Sequence, residues 1–263
     1  MRRTVVALLA AMTVVATSCT APSSPPSEPR HSSPRAEKAP PSKSAVEVGP
    51  DPRVGAIFLG GPTMHTCTGS VLDSAAGDLI LTAAHCMAGG VDASFVPAFA
   101  NNAEPQDFWN IGEVYLDPRW VSDQDPLADF AIARVSRDGG DAIEALTGGG
   151  FTLGATPPVG TDVTVTGYAF GVGGVPIGCE AATAANVRGF PSLRCGGLVA
   201  GTSGSPWTTG STALGIVGGL EGGGCLENVS YTPPFDDAIK RLLARAEASG
   251  PGDDPPAVFD DDC

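Results

Sequence analysis

The sequence predicts an all-β fold, a barrel or sandwich of short antiparallel strands finished by one C-terminal helix. Three features predict it. Short runs rich in β-branched and aromatic residues recur along the chain. Gly, Pro and Asp turns separate them, in a sequence that holds 35 Gly and 24 Pro. Only one stretch, near the end, has helical periodicity. Many short, evenly punctuated strands are the pattern of barrels and sandwiches.

Taken in order, residues 1–18 read as an export signal. Arg2 and Arg3 give a positive start and residues 4–16 a short apolar core, too short to span a bilayer. A small residue precedes Cys19, which suits lipoprotein cleavage with Cys19 as the lipidated residue; an ordinary secretory signal is the rival reading. Residues 19–50 are Pro, Ser and small charged residues, which cannot bury enough surface to offset their conformational entropy and read as a disordered stalk. Residues 51–250 are long enough for one domain with a sizeable core, or two subdomains sharing an interface. Its candidate strands are 53–60, 66–73, 78–84, 108–117, 129–135, 161–169 and 213–219. The helix is placed with Thr232 as cap and Pro233 at its first position. Phe235, Ile239, Leu242, Leu243 and Ala246 then form one apolar stripe, expected to dock on the body of the fold. Residues 251–263 are an acidic tail that Cys263 could pin. The glycines of 148–174 carry no phosphate-binding signature and read as turns and close backbone approaches.

The formal charge is −14 with no basic patch, which argues against nucleic acid as a partner. Seven cysteines are present. With Cys19 set aside, Cys67, Cys86, Cys179, Cys195, Cys225 and Cys263 form an even set, which in an exported chain suggests three disulfides. Spacing alone does not choose among the roughly 15 pairings of six cysteines. His65 with Cys67 and His85 with Cys86 have residue types that ligate zinc. Paired cysteines in an oxidising compartment argue against a metal, and no metal or cofactor is expected.

One stretch, "CGGLVAGTSGSPW" at 195–207, sets Ser203 between two glycines. Its bland reading is a turn serine. A serine hydroxyl becomes a nucleophile when a base takes its proton, commonly a histidine oriented by a carboxylate. The chain has three histidines, His31, His65 and His85, and all precede Ser203. An α/β-hydrolase needs its histidine after the serine and a glycine where Ser205 stands, so that order fails. A subtilisin order needs an aspartate before His85, such as Asp73 or Asp78, on a helix-rich frame that this sequence lacks. His, then Asp, then Ser is the order left.

In that order, "TAAHC" (82–86), "DPLADFAIARV" (125–135) and "GTSGSP" (201–206) resemble the histidine, aspartate and serine motifs of the chymotrypsin-like (trypsin-like) serine proteases, of compact bacterial secreted type. The resemblance covers roughly residues 53–247. It implies two six-stranded antiparallel β-barrels and a protein or peptide substrate. It implies Ser203 as nucleophile, His85 as general base and then acid, and Asp129 as the group that orients His85. Asp123 and Asp125 are nearby rivals; Asp129 is preferred because it abuts the apolar run, where a buried carboxylate needs a partner. The resemblance places the oxyanion hole at the backbone N–H groups of Gly201 and Ser203. A side chain at 201 would crowd the reacting carbonyl and restrict the dihedrals that aim the N–H. Cys67 with Cys86 resembles the family's bridge beside its histidine. Cys179 with Cys195 and Cys225 with Cys263 follow, with Cys195–Cys225 as rival. His65 resembles a structural histidine of the family.

The chain also departs from the family. Thr202 stands where animal members have the aspartate that pairs with a newly cut N-terminus, so activity without cleavage is expected. "PRVGAIF" (52–58) resembles an activation site but lies so close to Cys67 that it reads as the first barrel strand. Gly197 occupies the pocket-base position that carries a carboxylate in the trypsin pattern. Val217 stands where glutamate-specific relatives have a histidine. The wall 215–224 has one charge, Glu221, which leaves a small apolar or a basic side chain as candidates for the cleaved residue. The expected protein is thus a monomeric serine endopeptidase, extracellular or anchored to the outer face of the cell membrane through Cys19. The competing class is a non-catalytic surface lipoprotein that uses a protease-like fold as a binding or scaffold module. An esterase with the same triad is a second alternative.

Overall fold

The computed structural model describes residues 43–226 and 228–257. The leader, Cys19, the stalk through residue 42 and Cys263 lie outside the described residues. In chain order the strands are β1 (Lys43–Ser44), β2 (Val46–Glu47), β3 (Val54–Leu59), β4 (His65–Val71), β5 (Leu79–Thr82), β6 (Ala93–Pro97), β7 (Trp109–Leu116) and β8 (Ala131–Ser136). They continue as β9 (Thr152–Leu153), β10 (Asp162–Gly167), β11 (Ile177–Val187), β12 (Phe190–Leu193), β13 (Cys195–Gly196), β14 (Pro206–Thr209), β15 (Thr212–Ile216) and β16 (Ser230–Tyr231). The helices are α1 (Pro118–Asp123), α2 (Ile143–Thr147) and α3 (Asp237–Glu247). No helix among the described residues is long and apolar enough to cross a membrane.

Strands β3 to β8 close into a six-stranded antiparallel barrel in the order β3-β4-β5-β8-β7-β6. Closure leaves no edge strand in this ring. Ile57, Phe58, Ile80, Leu81, Phe95, Tyr115 and Ile132 on its strands are all buried and belong to one core cluster. The second half differs from a closed ring of six. Its ladder is an eight-stranded sheet running β16-β12-β11-β10-β14-β15-β9, with β2 paired to β11. Both ends of that path are strands of two residues, β16 and β9, too short to carry a ladder onward. Its core gathers Val163, Val165, Leu193 and Trp207 around Cys179 and Cys195.

Three expectations change at the chain ends. Residues 43–48, assigned to the stalk by composition, carry the short strands β1 and β2. The Ala45-Val46-Glu47-Val48 stretch supplies N–H groups to β13 and to the start of β11: Ala45 donates to the Gly196 carbonyl at 2.7 Å and Val48 to that of Pro176 at 2.9 Å. The helix begins later than predicted, because Asp236 caps it by accepting from the Ala238 N–H at 2.7 Å. Thr232 is fully buried and accepts instead from the Ile216 N–H at 2.9 Å. The stripe of α3 docks on the first barrel, with Phe235 edge-on to Phe130. The acidic tail is held well before its cysteine. Asp253 pairs with Arg245, its N–H donates to the Val114 carbonyl, and Gly89 donates to the Pro256 carbonyl.

Candidate active site

Two disulfides frame the site. Cys67–Cys86 joins β4 to the short 3-10 turn Ala84–Cys86 that follows β5. Cys179–Cys195 joins β11 to β13, which excludes the rival Cys195–Cys225 pairing. Cys225 is also disulfide-bonded. Cys67, His85 and Cys86 lie close together, but the two sulfurs are bonded to each other and are not thiolates free to hold zinc.

β5 is buried along its whole length and delivers His85 through two small residues, Ala83 and Ala84, both buried. Small side chains let this turn lie tight against the core, so the imidazole projects from a fixed base. Asp129 sits at the turn entering β8 and is fully buried. Its Oδ2 accepts from His85 Nδ1 at 2.8 Å, and its Oδ1 accepts the His85 backbone N–H at 3.0 Å. The carboxylate only accepts, so Nδ1 carries the proton and Nε2 is the basic nitrogen. A third donor, the Gly219 N–H, reaches Oδ2 at 2.7 Å. Three such bonds offset the cost of burying the charge. The two rivals sit elsewhere: Asp125 caps a turn by accepting from Leu127 N–H, and Asp123 is exposed beside Ser122. The Gly219 donor was missed from sequence; its signal is the "GIVGG" run, since a side chain at Gly218 would come within 3.0 Å of Asp129 Oδ2.

Ser203 is half-buried and lines a cleft of about 480 Å³ together with His85, Gly201, Val217 and Glu221. The surrounding turn closes on itself. Thr202 is buried, and both its N–H and its hydroxyl donate to the Val199 carbonyl, at 3.0 and 2.7 Å. Phe170 N–H holds the Ala200 carbonyl at 2.7 Å. The amide N–H groups of Gly201 and Ser203 have no acceptor among the described residues. Gly201 has φ +92° and Gly204 φ +82°, conformations that L side chains rarely adopt. The obstacle to a side chain at 201 is not the reacting carbonyl: a Cβ there would stand 2.0 Å from the Phe170 backbone nitrogen. At Gly204 it would stand 2.1 Å from the Thr68 carbonyl oxygen. Ser205 is fully buried, where the family pattern has glycine, and its hydroxyl fills the space above Gly167: a Cβ on Gly167 would lie 1.7 Å from Ser205 Oγ.

His65 is buried, with Nε2 2.8 Å from the Gly173 carbonyl and its ring against Phe58, Phe99 and Tyr168. It stands outside the cleft lining, as the structural reading requires. Gly197, at the expected pocket base, has φ +80° and lies against Ala45 of the N-terminal strands. A groove of about 890 Å³ between those strands and β10–β11 has no histidine among its described lining residues.

Comparison with known proteins gives a consistent family. The family model described as Trypsin matches residues 42–171, a span that contains His85 and Asp129 and ends before Ser203. No curated protein matches by sequence. Among solved structures, the protease Anisep from Arthrobacter nicotinovorans is 21% identical with a TM-score of 0.65, covering 77% of this chain and 98% of its own. A Glu endopeptidase is 16% identical with a TM-score of 0.63, covering 79% and 98%. Human heparin binding protein is 17% identical with a TM-score of 0.60, covering 82% and 100%. These identities establish a shared fold.

Proposed function

The chain belongs to the trypsin-like serine protease family, and from that premise we propose that it is an exported serine endopeptidase acting through His85, Asp129 and Ser203. The fold is also that of human heparin binding protein, so the reading rests on side chains rather than on architecture. The observation that carries it is the fully buried Asp129 carboxylate bonded to His85 Nδ1 at 2.8 Å, in a turn whose histidine shares one cleft with Ser203.

In the proposed reaction Ser203 Oγ attacks the carbonyl carbon of the scissile peptide while His85 Nε2 takes the hydroxyl proton. Asp129 stabilises the imidazolium without taking its proton. The carbonyl oxygen becomes an oxyanion, and the unpaired N–H groups of Gly201 and Ser203 are the donors available to it. The C–N bond then breaks and the amine leaves with the proton from Nε2. An ester remains on Ser203. A water, giving its proton to His85, hydrolyses that ester and restores the hydroxyl.

Activity without a cleaved N-terminus belongs to the same proposal. Thr202 is tied to its own turn and needs no ammonium partner. Val54 is buried in β3, its N–H donating to the Asp51 carbonyl at 3.0 Å, so a cut at Arg53 would free a terminus already built into the barrel. A chain beginning at Val54 is expected to turn over no faster than the full chain; a large gain would contradict this. Disulfides and the leader-like start support export, with Cys19 as the proposed anchor.

The test is a cleavage profile of the full chain on a peptide library, run beside Ser203→Ala. The expected result is a defined set of cut peptide bonds, absent in the variant. Hydrolysis of matched esters without any peptide cleavage would favour the esterase reading, and no hydrolysis of either would favour a binding module.

A further inference from the structure

The nucleophile turn belongs to the second half of the fold, yet it is fastened to the first barrel through one residue of β4. Thr68 is fully buried, directly after Cys67. Its hydroxyl donates to the Gly201 carbonyl at 3.1 Å and accepts from the Tyr168 N–H at 2.9 Å. Its backbone N–H donates to the Ser203 carbonyl at 2.8 Å. Its own carbonyl accepts from the Thr82 hydroxyl at 2.8 Å, three residues before His85. One residue therefore touches the strand that leads to the base and both the Gly201–Thr202 and the Ser203–Gly204 peptides of the nucleophile turn.

We propose that the Thr68 hydroxyl is a positioning group that fixes the Gly201–Thr202 peptide, and with it the aim of the Gly201 N–H at a developing oxyanion. The proposal rests on the protease reading of this cleft. Gly201 has no side chain to lock its dihedrals and sits at φ +92°, so neighbouring bonds must hold it. The Phe170 N–H anchors the peptide before Gly201 and Thr68 anchors the peptide after it. Both anchors lead back to one short segment, since Tyr168 also donates to Thr68. Removing the hydroxyl leaves the Gly201 carbonyl and the Tyr168 N–H without that partner in a buried place, where relaxation of the turn is the available relief. Donor placement matters because oxyanion bonds act at the transition state and lose their worth when misdirected by fractions of an ångström.

The experiment compares the full chain carrying Thr68→Val, Thr68→Ser or no change. Valine keeps the shape and the backbone bond to Ser203 while deleting the hydroxyl; serine restores it. Three readouts are taken: kcat and KM on a cleaved peptide, inhibition by a peptidyl trifluoromethyl ketone whose adduct forms an oxyanion, and binding of a product peptide that forms none. The expected result for Thr68→Val is a fall in kcat of about 10- to 100-fold with KM changed less than threefold. Ketone affinity should fall in step, product binding should stay unchanged, and Thr68→Ser should recover most of the loss. Unchanged kcat and ketone affinity in Thr68→Val would overturn the proposal. So would equal losses in ketone and product binding, since that marks general damage, and so would a serine variant as poor as valine. If valine prevents folding, Thr68→Ser alone decides: near-normal values on all three readouts uphold the proposal, and a selective loss of product binding overturns it. An unmodified chain that cleaves no peptide defeats the protease reading instead, a result separate from any of these.

Discussion

The half of the fold that supplies His85 and Asp129 closes its strands into a ring, whereas the half that supplies Ser203 leaves them as an open path ending in two-residue strands. The ring is held by packed apolar side chains such as Phe58, Phe95, Tyr115 and Ile132. The turn around Ser203 is held by backbone bonds, by buried threonines 68 and 202, by the Cys179–Cys195 bridge and by the strands at 43–48. A base and its carboxylate need a rigid dry seat, which a closed core gives. Oxyanion donors need free N–H groups in unusual backbone conformations, and a regular ladder would consume those groups. The second half therefore trades ladder for loop and compensates with cross-links.

That contrast predicts how the molecule breaks. The largest effects belong to the proposed reacting groups: Ser203→Ala or His85→Ala should lower kcat by on the order of 10⁴ to 10⁶ with the thermal midpoint little changed. The two together should cost no more than the worse single change, as groups acting as one unit do. Next come substitutions that force a Cβ into the seam. Gly204→Ala places one 2.1 Å from the Thr68 carbonyl at φ +82° and should destabilise by about 3 kcal/mol or more, read by denaturant melts. Replacing Cys179 and Cys195 by alanine opens a link of sequence separation 16 and should cost about 3 kcal/mol. If the second half depends on its cross-links, that variant should lose activity at temperatures where far-UV dichroism still shows the fold.

The smallest expected effect lies on the first half. Burial opposes ionisation of Asp117, and hydrogen bonds from Arg119 outweigh it, so its carboxyl sits below the usual range. It also caps α1 through the Arg119 N–H. Because the folded value is depressed, the contribution is present above the unfolded value near 4 and is lost as pH falls through the folded one. Asp117→Asn should therefore cost about 1 kcal/mol at pH 7, and the gap between the two proteins should narrow below pH 4. A gap independent of pH would mean that the cap is steric rather than ionic.

The same contrast explains what could be read from sequence. Strands β3, β5, β7 and β8 declare themselves through β-branched and aromatic runs; all seven expected strands start within two residues of an observed start, and all but the last also stop within two residues of the observed stop. β11, "IGCEAATAANV", is the longest strand, yet its Ala, Gly and Asn have little strand preference; pairing with β10 and β12 makes it one. The stalk assignment failed at 43–48 for a related reason: composition does not reveal that β11 and β13 offer edges for those residues to join. A partner for Asp129 was expected because it abuts a buried run, and it bonds to His85. Gly219 and Thr68 were not expected, since a backbone N–H and a hydroxyl acquire their role only when distant segments meet.

On the proposed reading the Asp129-held imidazole activates Ser203. The direct measurement is labelling of the folded full chain with an organophosphonate, followed by peptide mass mapping. One label per molecule is expected, on Ser203, abolished by denaturation and strongly slowed in His85→Ala. Folded protein that takes no label at Ser203, or labels equally fast without His85, would contradict that reading.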